Sequence, residues 1–115
     1  MLWSDGIAAE KLEVDRGGLS QAVVQQELRT RLGFTGVTIT DALEAGAISS
    51  HGTDAELGVL AAQAGMDLLL ASAQDVSQGQ DVVSGLAAAL ANGTLDRSDF
   101  TAAVNRVCAL RTSLA

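Results

Sequence analysis

Asp41 is the residue of this chain with both the type and the position for carboxylate chemistry. It closes the run Gly36-Val37-Thr38-Ile39-Thr40, β-branched at four successive positions, which reads as a buried parallel strand. Groups at the C-terminal ends of such strands are the ones that parallel α/β folds present to ligands. The same position suits a plain turn cap, because an Asp after a strand commonly hydrogen-bonds the backbone that follows it. Spacing alone leaves both readings open. A phosphoryl-accepting Asp is weakly supported, since Ala42-Leu43 follows where phosphatases carry a DxD pattern. His51, the one histidine, lies ten residues further on in a Ser/Gly-rich linker, and no neighbour would orient it as a base. It reads as a surface loop residue. Glu44 reads as a solvated acid in the first turn of a helix. Cys108, at helical spacing from Val104, reads as core, and Gly33 and Asn92-Gly93 read as helix stops and not phosphate cradles. One His and one Cys cannot build a zinc or iron–sulfur cluster, and a single Cys cannot close an internal disulfide. No cofactor is expected.

The elements that must position Asp41 follow from periodicity. Residues 1–18 form an irregular N-terminal arm around Trp3, broken at Gly17-Gly18. Ser20 caps a helix over residues 21–32, with Val24, Leu28 and Leu32 at helical spacing and Gly33 as its stop. The strand through Thr40 comes next. Thr53-Asp54-Ala55-Glu56 has the form of a capping box and opens a helix with Leu57, Leu60, Ala61 and Ala64 on one face, closed by Gly65. Met66 to Ala71 is short and apolar and reads as a second buried strand. Ser72 to Gln80 reads as a loop, and Val82, Val83, Leu86, Ala89 and Leu90 make the next helix. Asp96 and Asp99 cap a last helix that buries Phe100, Val104, Val107 and Cys108. The expected order is α-β-α-β-α-α.

Composition bounds the function. The chain has 115 residues, 48% of them hydrophobic, and a mean hydropathy of +0.27, enough for one modest core. Its formal charge of −7 argues against a phosphate-tracking surface, so no nucleic acid partner is expected. No stretch approaches the length of a membrane span, and acids at Asp5 and Glu10 interrupt the N-terminus before an apolar leader develops. The expectation is no membrane association and, by default, a cytoplasmic location. Two buried strands are too few for a self-sufficient parallel sheet, and their open edges would be exposed in isolation. The pattern therefore reads as a piece of a larger α/β unit, completed by another chain or by copies of itself.

The run Leu32-Gly33-Phe34-Thr35-Gly36-Val37-Thr38-Ile39-Thr40-Asp41-Ala42-Leu43-Glu44-Ala45-Gly46-Ala47-Ile48 closely resembles the nucleophile segment of glycoside hydrolase family 3, in particular its β-N-acetylhexosaminidases. The resemblance continues upstream through LSQAVVQQELRTRLGF and downstream through AAQAGMDLLLAS and ALANGTLDRSDFTAAVNRVCALR, and it covers about residues 19–111. It implies that residues 19–115 are the C-terminal part of a catalytic (β/α)₈ barrel, with Asp41 at the end of strand seven and Met66 to Ala71 as strand eight. On this resemblance Asp41 is the catalytic nucleophile. A retaining glycosidase needs an ionised carboxylate to attack the anomeric carbon and to hold a covalent glycosyl intermediate until water releases it.

Two departures from the family pattern carry consequences. Ala45 stands where the family commonly has a Met lining the sugar pocket, so Ala45 marks a substrate-binding position of altered shape. The general acid/base of the family is a His on a KHFPGHG-like motif, and no such motif occurs in the sequence. The resemblance thus implies the nucleophile-bearing part of an enzyme acting on terminal N-acetylglucosamine, as in peptidoglycan fragments, and inactive as an isolated chain. Its expected partners are the N-acetylglucosaminide substrate and the missing barrel half, or a second copy in a dimer. The competing expectation is a non-catalytic assembly module of the same fold.

Overall fold

The computed structural model describes residues 21–43 and 52–114. Their order is α1 (Ala22–Arg31), β1 (Ile39–Ala42), α2 (Asp54–Ala64), β2 (Leu68–Leu70), α3 (Val76–Asn92) and α4 (Arg97–Ser113). The described part of the chain is a mixed α/β unit of four helices and a two-stranded parallel sheet in which β1 and β2 are neighbours. The N-terminal arm, Ser20 as a cap, Glu44, Ala45 and His51 lie outside the described residues.

Helix α1 forms where helical spacing predicts it, but its winding is wider than an α-helix. Leu32 N–H donates to Glu27 O at 2.9 Å, five residues back, and Phe34 N–H donates to Leu28 O at 3.1 Å. Strand β1 starts later than predicted, at Ile39 instead of Gly36, and runs through Asp41 to Ala42. The preceding polar groups are claimed by side chains: Gly36 O accepts from Arg29 Nη1 at 2.9 Å, and Thr38 N–H donates to Asp67 Oδ2 at 3.1 Å. Strand β2 is likewise trimmed to Leu68–Leu70.

The capping box at α2 is formed as predicted. Thr53 N–H donates to Glu56 Oε1 at 2.9 Å and Glu56 N–H donates to Thr53 Oγ1 at 3.2 Å, while Gly65 ends the helix with φ of +107°. Leu57, Ala61 and Ala64 are buried, whereas Leu60 turns partly outward. Helix α3 corrects the predicted loop over Ser72 to Gln80. It begins at Val76 because Asp75 Oδ1 accepts from Ser77 N–H at 2.9 Å, a cap that is concealed because Val76 is the one apolar residue before Val82 and leaves no helical periodicity to read. Buried Gln78 completes this turn, its Oε1 accepting from Ala73 N–H at 3.0 Å. Helices α2 and α3 meet closely at two glycines. A Cβ on Gly58 would lie 2.9 Å from Val82 Cγ1, and one on Gly85 would lie 3.2 Å from Ala55 O.

Among the described residues two small apolar clusters form the core. Val24, Ala61, Ala64 and Met66 make one, Leu43, Leu57 and Val82 make the other, and Leu69 packs against both. Leu43 and Leu57 are fully buried, and each such side chain contributes about 1.5–3 kcal/mol relative to exposure. Helix α4 overturns an expectation. Asp96 caps it as predicted, accepting from Asp99 N–H at 2.9 Å, but none of its residues is buried. Phe100 and Val107 are half-buried, Val104 is exposed, and Cys108 is a free, exposed cysteine instead of a core residue. The reason is geometric: the stripe borders a cavity that it shares with β2 and α3 in place of packing directly on them. The sheet is open as well, with Ile39 55%, Leu68 37% and Leu70 40% exposed, whereas parallel sheets are ordinarily covered on both faces.

Candidate active site

Asp41 sits at an irregularity in the sheet. Ile39 pairs with Leu68 and Ala42 with Leu70, so β1 takes three steps where β2 takes two. The extra residue is a bulge, a feature that re-aims a side chain and bends the strand carrying it. Leu43, the next residue, anchors the strand end through Leu43 N–H to Leu70 O at 2.9 Å and through its buried side chain against Leu57 and Val82. The Asp41 side chain is exposed, and its Oδ1 accepts from Ala42 N–H at 2.9 Å. One carboxylate oxygen therefore does what a turn cap does. None of the ion pairs among the described residues involves Asp41, so its charge remains available to an electrophile.

The opposite end of the strands holds a cluster that periodicity does not reveal. Asp67, immediately before β2, has a fully buried side chain and lies between Arg29 of α1 and Arg106 of α4. Arg29 Nη2 donates to Asp67 Oδ2 at 2.8 Å, and Arg106 Nη2 donates to Oδ1 at 2.7 Å. Arg106 Nε adds contacts of 3.1 and 3.0 Å to the two oxygens, a forked geometry that fits guanidinium to carboxylate. Thr38 joins the cluster, its Oγ1 accepting from Asp67 N–H at 3.0 Å and from Arg29 Nη2 at 3.3 Å. Burial lowers the Arg29 pKa from its ordinary value, the Asp67 charge raises it, and Arg106 lowers it. The Phe34 ring lies over the Arg29 guanidinium, 5.9 Å from carbon to ring centroid. The cluster ties α1, both strand starts and α4 together, at the far end from Asp41. The signal that could have found it was one acid inside the apolar run Met66 to Ala71, because a charge buried there demands partners.

Among the described residues no group of three or more His, Cys, Asp or Glu could hold a metal ion. A cavity of about 460 Å³ opens between β2, α3 and α4, lined by Leu69, Val82, Leu86, Phe100, Val104 and Val107 among others. Asp41 does not line it.

Residues 6–110 match the glycosyl hydrolase family 3 N terminal domain. The chain belongs to glycosyl hydrolase family 3. This family 3 chain is 50% identical over 97 residues to an uncharacterized secreted glycosyl hydrolase of Arthroderma benhamiae, covering 84% of the chain and 28% of that relative. In structure it is similar to a family 3 β-N-acetylglucosaminidase of a Paenibacillus species, with TM-score 0.79 and 34% identity over 84% of this chain and 18% of that one. It is equally similar to a fungal multi-domain family 3 β-N-acetylglucosaminidase, with TM-score 0.79 and 30% identity over 84% and 11% of the two chains. The chain thus spans under a third of the length of these relatives. Among the described residues no helix is long and apolar enough to cross a membrane. The Arthroderma protein is described as secreted, which gives the cytoplasmic default no support.

Proposed function

We propose that this chain is the nucleophile-bearing part of a retaining β-N-acetylhexosaminidase, with Asp41 as the nucleophile. The observation that carries the reading is the placement of Asp41. It is an exposed carboxylate with no cationic partner among the described residues, set in a bulge at the C-terminal end of a parallel strand. In parallel α/β enzymes that is the end where catalytic groups gather. Similarity to two β-N-acetylglucosaminidases at 30% and 34% identity supports N-acetylglucosaminides as the substrate class. Asp41 would attack the anomeric carbon as the aglycone departs, and water would then release the sugar from the glycosyl ester.

The parallel, adjacent placement of β1 and β2 agrees with their assignment as the last two strands of an eight-stranded barrel. The exposed apolar faces of the sheet and of α4 support strands elsewhere as their cover. The proton donor would come from those strands, since the sequence has no KHFPGHG-like motif. The chain alone would then be inactive, because acid/base assistance is worth about 10² to 10⁴-fold.

A chromogenic N-acetylglucosaminide assay on the chain alone, and on the chain joined to the missing part, tests both statements. Turnover is expected only in the joined form, and Asp41→Asn is expected to abolish it with folding intact. Survival of activity in Asp41→Asn would reduce Asp41 to a turn cap. The openness of the same faces also favours a second reading, a non-catalytic assembly module. Absence of turnover in a folded, joined form would support it.

A further inference from the structure

We propose that the Thr40 hydroxyl aims Asp41, as a positioning residue that holds the bulge; the inference rests on the nucleophile reading of Asp41. A regular parallel pair in which Leu68 N–H donates to Thr38 O, as it does here at 2.9 Å, would continue in a fixed pattern. Leu70 N–H would donate to Thr40 O, and Ala42 N–H would donate to Leu70 O, because alternate residues of each strand face the neighbour. The chain departs from that pattern at both points. Leu70 N–H donates to the Thr40 side-chain oxygen at 2.9 Å, and the donor to Leu70 O is Leu43, one residue later, at 2.9 Å.

The hydroxyl gives Leu70 N–H a side-chain acceptor at the point where the extra residue enters, beside the main-chain ladder that pairs Leu70 with Ala42. It ties Thr40 to β2 at the place where that ladder skips a residue. Thr40 is only 6% exposed, so water competes little for that donor. Ala42 N–H, displaced from the ladder, is taken by Asp41 Oδ1 at 2.9 Å, which ties the carboxylate to the bulge itself. A return to the regular register would shift the residues after Thr40 by one place and turn their side chains to the other face. Asp41 would turn with them. The Thr40 hydroxyl opposes that shift, and the requirement is specific: Val has the shape without the acceptor, and Ser has the acceptor without the methyl group.

The experiment is nuclear magnetic resonance on the full chain, reading scalar couplings across hydrogen bonds and amide exchange. Wild type is expected to show coupling from Leu43 N to Leu70 C′, none from Leu70 N to Thr40 C′, and a protected Leu70 amide. In Thr40→Val the Leu70 amide is expected to exchange at least about tenfold faster, and the coupling to Leu70 C′ is expected to move from Leu43 to Ala42. Thr40→Ser is expected to restore the wild-type pattern. A Leu70 N to Thr40 C′ coupling in wild type would overturn the proposal whether or not Thr40→Val folds. So would a Thr40→Ser chain lacking the Leu43 coupling, or a Thr40→Val chain that keeps both coupling and protection. These couplings report the bulge whatever Asp41 does. Retained turnover in Asp41→Asn separately overturns the nucleophile reading, and with it the purpose assigned to Thr40.

Discussion

Replacing Asp67 by Ala should cost this chain more stability than any other single change to a polar residue among those described. The carboxylate is fully buried and takes donors from two guanidinium groups, Arg29 at 2.8 Å and Arg106 at 2.7 Å, as well as Thr38 N–H at 3.1 Å. Its removal leaves Arg29, whose side chain is only 10% exposed, with a buried charge facing a second cation. The Arg29 Nε already lacks a hydrogen-bond partner, so the guanidinium has little to fall back on. Breaking a buried pair by deleting one partner costs about 3–5 kcal/mol. Here the upper half of that range applies to Arg29, and the lower half to Arg106, whose side chain is 23% exposed and can reach water. Against a total stability of about 6–17 kcal/mol for a domain of this length, the loss is a large share. With a urea slope of about 1.5 kcal/mol/M, the denaturation midpoint should fall by about 2–3 M. A decrease below about 0.5 M, with the slope unchanged, would refute the reasoning. The control is Arg106→Met, which leaves Asp67 paired with Arg29 and should lower the midpoint by less than half as much.

Three further outcomes are expected. His51→Ala should leave turnover of the joined enzyme nearly unchanged in the chromogenic assay, and a loss comparable to that of Asp41→Asn would make His51 a participant. The Glu56 pKa is lowered from 4.5 by the Thr53 backbone and side-chain hydrogen bonds. The capping box therefore contributes stability that is present above pH 4.5 and is lost as pH falls through the depressed value, which a carboxyl titration followed by magnetic resonance would register below 4.5. The uncovered side chains Ile39, Leu68, Leu70, Val83 and Val104 favour association at about 25 cal/mol per Å² buried. Light scattering on the chain alone should show a dimer or larger species at micromolar concentration, and a cooperative monomer of 11.7 kDa would show that the chain closes its own core.

What the sequence made legible and what it hid divide along a physical line. Helix ends written in single residues were legible: Thr53 with Glu56, Gly65, Gly93 and Asp96 all act where their types place them. Each of these signals is local, needing only the backbone within a few residues. The start of α3 was missed because the Asp75 cap precedes a turn with no apolar pattern, so periodicity saw a loop. Strand limits were misplaced for a different reason. Thr38 has the β-branched shape of a strand residue, but its N–H is taken by Asp67, 29 positions away, and no local reading contains that partner.

The same line runs through the candidate site. Asp41 was legible because its position after a β-branched run is a local fact, whereas the bulge that presents it depends on which residues of β2 stand opposite. That register is set at both ends by side chains acting on main chain: Asp67 and Thr38 before the strands, Thr40 at the extra residue, and buried Leu43 after it. The two ends have opposite requirements. The Asp67 end is buried, with both carboxylate oxygens paired to guanidinium groups, as suits a fixed anchor, while the Asp41 end leaves its carboxylate exposed and, among the described residues, without a cation. A rigid anchor beyond the strands' far end lets a reactive group stay under-satisfied without the strand shifting to pair it. This division predicts an asymmetry: substitutions at Asp67 should act on stability first, and substitutions at Asp41 on turnover with stability kept.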